Sequence, residues 1–394
     1  MNKRVSKIFL LLMLAMSTIA ARAQQAQVNL DWNPQKNTEN LVPFGANQVS
    51  PEVRDDRTVI FKVKAPKAQE VLLAAGPLLL ALGKTAPIPF QKSDDGVWAL
   101  KVGPVKPNIY VYKLTIDGVT VPDPNNTIAG VGGQPPYSQL VVHGDGPAYY
   151  DARNVPHGAV TRHVYHSNVT NGEREIFVYT PPGYNRSKKY PVLYLVGGSG
   201  EVAPNWSLEG RANFILDNLL AEGKAVPMII AMPNNQVVHR SHPKHVELTF
   251  KLFDEELRKH IVPFVEQNYS VQANRKGRAL AGLSMGGRHT QFVGFKALDL
   301  FASFGVLSAG DVDTEKSSAE FLNDPAVNKK VDYLFVGQGT YEDKPGTRTN
   351  VLHDVLTKYK VKHEYYVGGD GGHDWGTWRH LLYAKFLPGL WRTK

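Results

Sequence analysis

The chain has 394 residues, of which 42% are hydrophobic and 21% are charged, a composition typical of a globular protein with a sizeable core. Cysteine is absent, which excludes disulfide scaffolds, thiolate metal sites and a cysteine nucleophile. The formal net charge of +9 is not gathered into a basic block, so a nucleic acid is not an expected partner.

The first 23 residues have the layout of a secretory signal peptide. Basic residues precede an apolar run over Ile8–Met16, and Ala21-Arg22-Ala23 supplies a small-x-small cleavage site. The apolar run is shorter than the roughly 20 residues that span a bilayer, so no membrane span is expected. Residues 1–23 are therefore predicted to be removed, and the mature protein is predicted to be secreted or periplasmic.

Residues 46–143 show the two-residue alternation of β-strands, interrupted by Gly, Pro and Asp turns. The pair Asp117-Gly118 is typical of a tight hairpin turn before a short strand at Val119–Val121. We predict an all-β, immunoglobulin-like sandwich in this part of the chain. Its clearest strands are predicted at Thr58–Lys64, Glu70–Ala74, Val97–Val102 and Ile109–Ile116.

The segment Gly130–His157 is rich in Gly, Pro, Asp and Asn and is periodic only around Gln139–Val142, so a domain boundary is placed near residue 155. In residues 155–394, short apolar strands alternate with helical segments such as Arg211–Glu222 and Leu252–Gln267. This alternation predicts a mostly parallel sheet covered on both faces. The strands are predicted at Val192–Val196, Met228–Ala231, Ala279–Ala281, Phe304–Leu307 and Tyr333–Val336.

A strand, a turn and a helix surround Ser284. The predicted strand runs into Gly282-Leu-Ser284-Met-Gly286 and then into a helix-compatible segment, Gly287–Leu298, which is the context of a nucleophile elbow. The glycines allow a sharp turn and a close approach of the helix to the strand. We therefore predict that Ser284 is a nucleophile and that the second part of the chain has the α/β-hydrolase fold.

A serine nucleophile needs a general base. His373 is preferred because it lies in a Gly-rich loop after a predicted strand at His363–Val367 and follows Ser284, as in α/β-hydrolases. His289 is nearer in sequence, but it lies on the helix that leaves the elbow and is expected to face a neighbouring element.

The third member of a catalytic triad is an acid at the end of a strand, between the serine and the histidine in chain order. The strand Tyr333–Val336 is followed by Glu342 and Asp343, side by side, and spacing alone favours neither of them. Asp311 and Asp313, after the preceding strand, are weaker candidates.

Two backbone N–H groups are expected to stabilise the oxyanion of the tetrahedral intermediate. Met285 directly follows the nucleophile and supplies the first. The strand Val192–Val196 runs into Gly197-Gly198-Ser199-Gly200, so Ser199 is predicted to supply the second.

Several motifs of residues 155–394 carry a family resemblance. They are Gly-Leu-Ser284-Met-Gly-Gly, Gly-Gly-His373-Asp-Trp-Gly-Thr-Trp-Arg379, Arg211-Ala-Asn-Phe-Ile-Leu-Asp-Asn218 and Tyr179-Thr-Pro-Pro-Gly183. Together they resemble carbohydrate esterase family 1, which contains feruloyl and acetyl-xylan esterases and is similar to enterochelin esterases. The resemblance places the family's nucleophile on Ser284, its histidine on His373 and its acid on Glu342.

Two further sequence features bear on this resemblance. The front domain, with Ser50-Pro-Glu-Val and Asp94-Asp-Gly-Val-Trp98, resembles the family 48 carbohydrate-binding module. Where relatives commonly have His-Gly in the oxyanion loop, this chain has Gly197-Gly198.

Two weaker signals lie in loops beside the predicted site. His239-x-x-His242-x-x-His245 resembles a metal-binding spacing, but Pro243 interrupts any helix that would align the three rings, so no metal site is expected. Trp206 and Trp375 flank the predicted oxyanion loop and histidine, and both are predicted to contact substrate by stacking on a sugar or an aromatic acyl group.

The predicted function is that of a secreted serine esterase that removes feruloyl or acetyl groups from plant cell-wall polysaccharide such as xylan. Its partner is an acylated polysaccharide or oligosaccharide, and the chemistry requires no metal or organic cofactor. An esterase for siderophore lactones or small aryl esters is an alternative. A catalytically weak glycan-binding protein on a hydrolase fold is another, suggested by the altered oxyanion loop. The front domain is not expected to supply catalytic groups, because every predicted triad residue follows residue 155.

Overall fold

The computed structural model describes residues 50–74, 76–130 and 136–392. The predicted signal peptide, residues 1–23, lies outside the described residues, as do residues 46–49 of the predicted sandwich. Within the described part, two β-rich units follow each other along the chain.

The described residues of the front unit form nine strands in two sheets. One sheet has the order β1-β2-β6-β5 and the other the order β4-β3-β7-β8, with β9 also paired to β7. The strands are β1 (Glu52–Val53), β2 (Val59–Lys64), β3 (Val71–Ala74), β4 (Ile88–Pro89), β5 (Gln91–Lys92), β6 (Val97–Val102), β7 (Asn108–Ile116), β8 (Val119–Val121) and β9 (Ser138–Val142), with one short helix, α1 (Gly76–Ala81).

Alternating side chains of the two front sheets share one core. Val59 and Phe61 of β2 pack with Tyr112 and Leu114 of β7, and the rings of Phe61 and Tyr112 lie edge to face with centroids 5.0 Å apart. The predicted strands begin within one residue of those observed, since the alternation that predicts them is the alternation that buries one face. The unit is a two-sheet sandwich, and its immunoglobulin-like character stays a prediction.

The second unit contains one eight-stranded sheet with the order β10-β11-β13-β12-β14-β15-β16-β17. The strands from β12 to β17 are parallel, whereas β10 and β11 pair antiparallel at one edge. The strands are β10 (Ala159–Ser167), β11 (Gly172–Thr180), β12 (Val192–Val196), β13 (Ile229–Pro233), β14 (Arg278–Leu283), β15 (Ser303–Leu307), β16 (Tyr333–Gln338) and β17 (Glu364–Val367).

Helices cover both faces of this sheet, as the sequence predicts for a buried parallel sheet. Val192, Tyr194 and Val196 of β12 contribute to one buried cluster, and Leu193 and Leu195 contribute to the cluster on the opposite face. The helices are α2 (Asn205–Leu208), α3 (Ala212–Ala221), α4 (His245–Glu256), α5 (Val262–Asn268), α6 (Met285–Phe292), α7 (Thr314–Ser317), α8 (Ala319–Leu322), α9 (Val327–Lys330), α10 (Arg348–Lys358), α11 (Trp375–Leu381) and α12 (Leu387–Gly389).

The helix predicted at Leu252–Gln267 begins earlier and is interrupted. Helix α4 starts at His245, and a π-helical turn over Leu257–Ile261 joins it to α5. Pro263 in the first turn of α5 has no backbone N–H and cannot continue the ordinary hydrogen-bond ladder, which accounts for the wider turn before it.

The two units meet at helix α11. The guanidinium of Arg379 is fully buried, and it donates to the backbone oxygen of Glu209 (2.6 Å), to Oδ1 of Asn108 (2.7 Å) and to the backbone oxygen of Ile109 (3.1 Å). Ile109 and Val141 of the front unit also belong to the buried cluster that contains Trp375. A buried charge needs such acceptors, so the start of β7 is part of the surroundings of α11.

Across the described ranges, every helix is too short or too polar to span a bilayer.

Candidate active site

Ser284 lies in the turn between β14 and α6, with φ 49° and ψ −114°. Its N–H donates to the backbone oxygen of Leu307 (2.9 Å), which ties the turn to the neighbouring strand β15. A Cβ atom on Gly286 would lie 2.4 Å from the backbone oxygen of Val196, and one on Gly282 would lie 2.4 Å from the backbone carbon of Gly286. The glycines are therefore required by the close approach of helix and strand, and this geometry is that of a nucleophile elbow.

Three predicted side chains form one chain of hydrogen bonds. Nε2 of His373 lies 2.9 Å from Oγ of Ser284, and Nδ1 of His373 lies 2.7 Å from Oε1 of Glu342. The loops that carry them follow β17, β14 and β16, whose carboxyl ends meet at one edge of the parallel sheet. The structure thus brings together the serine, the imidazole and the carboxylate that the sequence singles out.

The carboxylate of Glu342 has further donors on its second oxygen. Ser308 Oγ donates to Oε2 (2.6 Å), and so does the N–H of Gly339 (3.1 Å). Burial favours the neutral acid, but the hydrogen bonds from His373 and Ser308, with smaller help from the His373 charge and Gly339, outweigh it and lower the pKa of Glu342. The ionised form is therefore available to orient the imidazole.

The carboxylate of the next residue, Asp343, makes hydrogen bonds away from His373. Asp343 Oδ1 accepts from Gln338 Nε2 (3.0 Å) and Asn350 Nδ2 (2.8 Å). Geometry thus distinguishes two residues that spacing alone leaves equivalent. His289, the other histidine near the elbow, is fully buried against Phe253, and burial lowers its pKa to about 4.

The histidine loop and the acid loop hold each other in place. The N–H of Tyr341 donates to the backbone oxygen of Gly371 (3.0 Å), and the hydroxyl of Tyr341 donates to Asp370 (2.9 Å). Asp374 accepts from the N–H groups of Thr377 and Gly372 (both 3.0 Å), so it caps α11 and braces the backbone directly before His373.

The predicted oxyanion donors lie at the same cavity as Ser284. Met285 is the first residue of α6, where a backbone N–H has no acceptor within the helix. Ser199 is exposed and lines the cavity beside Ser284 and Met285. The N–H of Gly198, by contrast, donates to Oε2 of Glu201 (2.5 Å). Both predicted donors therefore lie at the same cavity as Ser284.

The prediction that Trp206 contacts substrate is wrong, because its side chain is only 1% exposed. It packs edge to face on Trp375 with ring centroids 5.2 Å apart, and Trp375 packs on Trp378 in the same way at 5.3 Å. Trp378 in turn lies edge to face against the ring of His373 at 5.1 Å. Trp206 therefore contacts His373 only indirectly, through Trp375 and Trp378. Trp375 itself lines one of the cavities.

Two cavities adjoin His373. One has a volume of about 550 Å³ and contains Ser284, Met285 and Glu342 in its wall. The other, of about 450 Å³, lies between the two units and is lined by Leu80, Ile109, Trp375 and Trp378, among others. An ester bound at Ser284 therefore has space on both sides of the imidazole.

The described residues include no group of three or more His, Asp and Glu side chains placed to hold a metal ion. In the loop singled out for its histidine spacing, Nδ1 of His239 lies 2.6 Å from Oγ of Ser241, and Nδ1 of His242 accepts from the N–H of Lys244 (3.1 Å). These histidines make local loop contacts.

A comparison with protein families assigns most of the second unit to a known family. The Esterase family model, described as "Putative esterase", matches residues 167–387, more than half of the chain. The chain belongs to this esterase family. The assignment confirms the predicted class of carboxylic ester hydrolase.

Curated relatives of this esterase are longer proteins. A protein of Xylanibacter ruminicola named "Endo-1,4-beta-xylanase/feruloyl esterase" is 31% identical over 357 residues, which are 88% of this chain and 47% of that protein. The "Endo-1,4-beta-xylanase Y" of Acetivibrio thermocellus is 28% identical over 240 residues, 54% of this chain and 21% of that protein. The chain spans about half the length of the first relative and about a fifth of the second.

Solved structures similar to the esterase include two ferulic acid esterases. One is 29% identical, with a TM-score of 0.51 over 59% of this chain and 98% of the other. The second, a CE1 ferulic acid esterase of Anaeromyces mucronatus solved with ferulic acid, is 25% identical, with a TM-score of 0.53 over 62% of this chain and 96% of the other. These similarities confirm the resemblance to carbohydrate esterase family 1.

The enterobactin esterase of Shigella flexneri is 17% identical, with a TM-score of 0.64 over 85% of this chain and 93% of the other. At this identity the similarity concerns the fold alone. Its coverage exceeds the share of the chain after residue 155, so the similarity of fold extends into the front unit. The resemblance of that unit to a family 48 carbohydrate-binding module stays a prediction.

Two residues that hold the predicted oxyanion loop were not predicted from the sequence. Asn235 Nδ2 donates to the backbone oxygen of Gly197 (2.7 Å), and Gln236 Nε2 donates to that of Gly198 (3.0 Å). Both residues follow β13 at the edge of the sheet where Ser284 lies. The polar run Asn234-Asn235-Gln236, directly after a fully buried strand, is the signal that could have found them.

Proposed function

We propose that the chain is a serine esterase that releases feruloyl or acetyl groups from polysaccharide of the plant cell wall, and that it acts as a secreted protein. The observation that carries the proposal is the hydrogen-bonded series Ser284, His373 and Glu342 on a nucleophile elbow. The names of the relatives, a xylanase/feruloyl esterase and ferulic acid esterases, support the substrate class.

The geometry supports a two-step acyl transfer. Ser284 Oγ attacks the ester carbonyl while Nε2 of His373 accepts its proton, and the carboxylate of Glu342 stabilises the imidazolium that forms. The N–H groups of Met285 and Ser199 donate to the oxyanion of the tetrahedral intermediate. The imidazolium then protonates the leaving alcohol, and a water activated by the same imidazole hydrolyses the acyl-enzyme.

The cavity between the two units offers a place for an aromatic acyl group. Its wall contains the rings of Trp375 and Trp378 and the apolar side chains of Leu80 and Ile109. Aromatic acyl groups gain from packing on such surfaces. A feruloyl group is therefore the better match for this cavity, and an acetyl group would leave most of it to water.

Ser284→Ala tests the mechanism. Because Oγ is the attacking atom, the variant should release ferulate from methyl ferulate and acetate from acetylated xylan at least about 10³-fold more slowly than the unaltered protein. Thermal unfolding of both proteins checks that the fold is retained. Turnover within tenfold of the unaltered protein, in a preparation free of other esterases, would contradict a serine mechanism and support the glycan-binding alternative.

A further inference from the structure

Basic side chains surround the cavity that contains Ser284. Its wall includes Arg240, Arg288, Lys344 and Arg348, against one acidic residue, Glu342, in the described lining. The carboxylate of Glu342 is already engaged by His373 and Ser308. The cavity beside the nucleophile therefore carries a positive charge that this wall does not balance.

These four cations, which we call the basic rim, differ from many other basic residues of the protein. Elsewhere Lys358 pairs with Glu315 at 2.7 Å, and Arg258 pairs with Asp299 at 2.8 Å. Within the described ranges, no member of the basic rim lies within 4.0 Å of a carboxylate oxygen. The positive charges of the rim are therefore not neutralised by neighbouring carboxylates.

Arg288 is the innermost member of the rim, one turn of α6 after Ser284. It is partly buried, its Nε has no hydrogen-bond partner, and its guanidinium lies over the rings of Phe250 (5.4 Å) and Phe292 (5.2 Å). Burial lowers its pKa, the charge of Arg348 acts in the same direction, and the charge of Asp311 opposes them. Its terminal nitrogens make no hydrogen bond or ion pair within the described residues, so they keep their donors for a group that enters the cavity.

The cavity on the other side of His373 has a different charge. Its wall includes Asp370 and Asp374 with one cation, Lys106, which pairs with Asp370 at 2.5 Å, and Glu201, a carboxyl whose pKa burial raises to about 8. This wall offers an anionic group no unpaired cation, whereas the basic rim offers four. The two cavities beside His373 therefore suit different parts of a substrate: the cavity between the units suits a neutral part, and the cavity with the basic rim suits a negatively charged part.

We propose that the basic rim binds a carboxylate carried by the substrate close to the scissile ester, as in acylated oligosaccharides that contain uronic acid units. Three of its four members are arginines, whose planar guanidinium groups match a carboxylate with two parallel hydrogen bonds. The inference rests on the proposed esterase function and specifies the charge of the sugar part of its substrate.

A matched pair of substrates tests this inference. The O-acetylated methyl glycoside of glucuronic acid and the corresponding glucuronamide share the acetyl ester and the size of the sugar, and differ in charge. Acetate release should show a kcat/KM about tenfold higher for the acid at low ionic strength, since one charge-assisted interaction has about this effect. The preference should shrink as salt is added, because mobile ions screen the attraction.

Substitutions in the basic rim test whether the rim causes the preference for the acid over the amide. Arg348→Gln and Arg240→Gln, both at exposed positions, should each lower the ratio of acid to amide. Lys329→Gln removes the same charge at an exposed position outside the cavity and should leave the ratio unchanged. Melting temperatures of all three verify that each variant is folded.

The two substrates also separate this inference from the proposed function. Equal kcat/KM for acid and amide in the unaltered protein would overturn the basic rim as a carboxylate site while leaving the esterase activity intact. A preference that persists in Arg348→Gln and Arg240→Gln would likewise overturn the assignment to the rim. Failure to hydrolyse both compounds while methyl ferulate is hydrolysed would overturn this inference alone. Failure to hydrolyse any feruloyl or acetyl ester would overturn the proposed function and this inference with it.

Discussion

The proposed role of His373 requires that its ring be held in one orientation, and the structure supplies contacts on three sides. Ser284 and Glu342 lie at its two nitrogens, at 2.9 and 2.7 Å, and the ring of Trp378 lies perpendicular to it with centroids 5.1 Å apart. Half of the imidazole is nevertheless exposed to the cavities, so a substrate can reach it. Orientation thus comes from neighbours rather than from burial.

The carboxylate contact leads to a prediction that compares two adjacent residues. Glu342→Gln should lower kcat by several orders of magnitude, because an amide neither stabilises the imidazolium nor enforces the required tautomer, and the comparable change in serine proteases costs about 10⁴. Asp343→Asn should lower kcat only slightly, because Asp343 bonds to Gln338 and Asn350 instead. Saturating kinetics on methyl ferulate measure both.

The pair is informative because each variant serves as the other's control. Both substitutions remove one negative charge from the same loop, so a general electrostatic effect would lower kcat equally in the two proteins. A crippled Asp343→Asn beside a nearly normal Glu342→Gln would assign the acid to Asp343.

Glu201 is the basis of a prediction about pH and stability. Burial raises the pKa of this carboxyl to about 8, the hydrogen bond from Gly198 opposes the shift, and the charge of Glu209 adds to it. Between the ordinary value of 4.5 and about 8, the folded protein therefore holds a proton that the unfolded chain has lost. The contribution of Glu201 to stability is present below this interval and is lost as the pH rises through it.

Replacement of the carboxyl by an amide should remove this dependence. Glu201→Gln keeps an oxygen for the Gly198 N–H and has no proton to lose. Its free energy of unfolding should fall less than that of the unaltered protein between about pH 5 and about pH 9, as urea titrations at several pH values would show. Parallel pH profiles for the two proteins would contradict the raised pKa.

At the scale of elements, the elbow depends on how closely α6 approaches β12. A methyl group on Gly286 would meet the backbone oxygen of Val196 at 2.4 Å, so Gly286→Ala should push the helix outward, lower the melting temperature by several degrees and reduce kcat. Gly172→Ala, where an added Cβ meets nothing within 4 Å, is the matched control. Differential scanning calorimetry and ester hydrolysis measure the two effects. Equal losses in both variants would show that the close approach is not the cause.

Local patterns predict the central elements of the fold well. The strand Val192–Val196 begins and ends as predicted because a fully buried parallel strand is a continuous apolar run. The antiparallel pair β10 and β11 escapes prediction, because most of the side chains of β10 are exposed and its sequence lacks the apolar alternation of a half-buried strand.

The same contrast between local patterns and long-range contacts applies to the residues of the site. The elbow around Ser284 is a local motif, so its sequence is sufficient to predict it. The choice between Glu342 and Asp343 depends on the path of a loop, which adjacent carboxylates do not reveal. The burial of Trp206 depends on packing against Trp375, distant in sequence, and composition does not predict such a contact.

At the scale of the whole molecule, the front unit supplies no member of the triad, as the sequence predicts, but it does contact the helix that follows His373. Asn108 Oδ1 is an acceptor for the buried guanidinium of Arg379. Nearby, Lys106 and Asp370 pair across the same junction with side chains 66% and 60% exposed. The two contacts join the same units in very different surroundings.

This contrast predicts unequal costs. Asn108→Ala should lower the free energy of unfolding by about 1–3 kcal/mol, because it removes an acceptor from a buried charge. Lys106→Gln should cost less than about 1 kcal/mol, as exposed ion pairs do. Urea denaturation of the two variants measures both, and a larger loss in Lys106→Gln would show that the buried contact does not hold the units together.

The position of β7 determines what happens when a protease cleaves the chain between the two units. The strand belongs to the front sheet, yet Asn108 and Ile109 at its start are bonded to Arg379 of α11. Between the two units, the loop at residues 143–146 is exposed and accessible to proteases. A nick there would sever the backbone without releasing either piece, and the fragments would persist as a noncovalent pair whose dissociation also removes the support of the histidine loop.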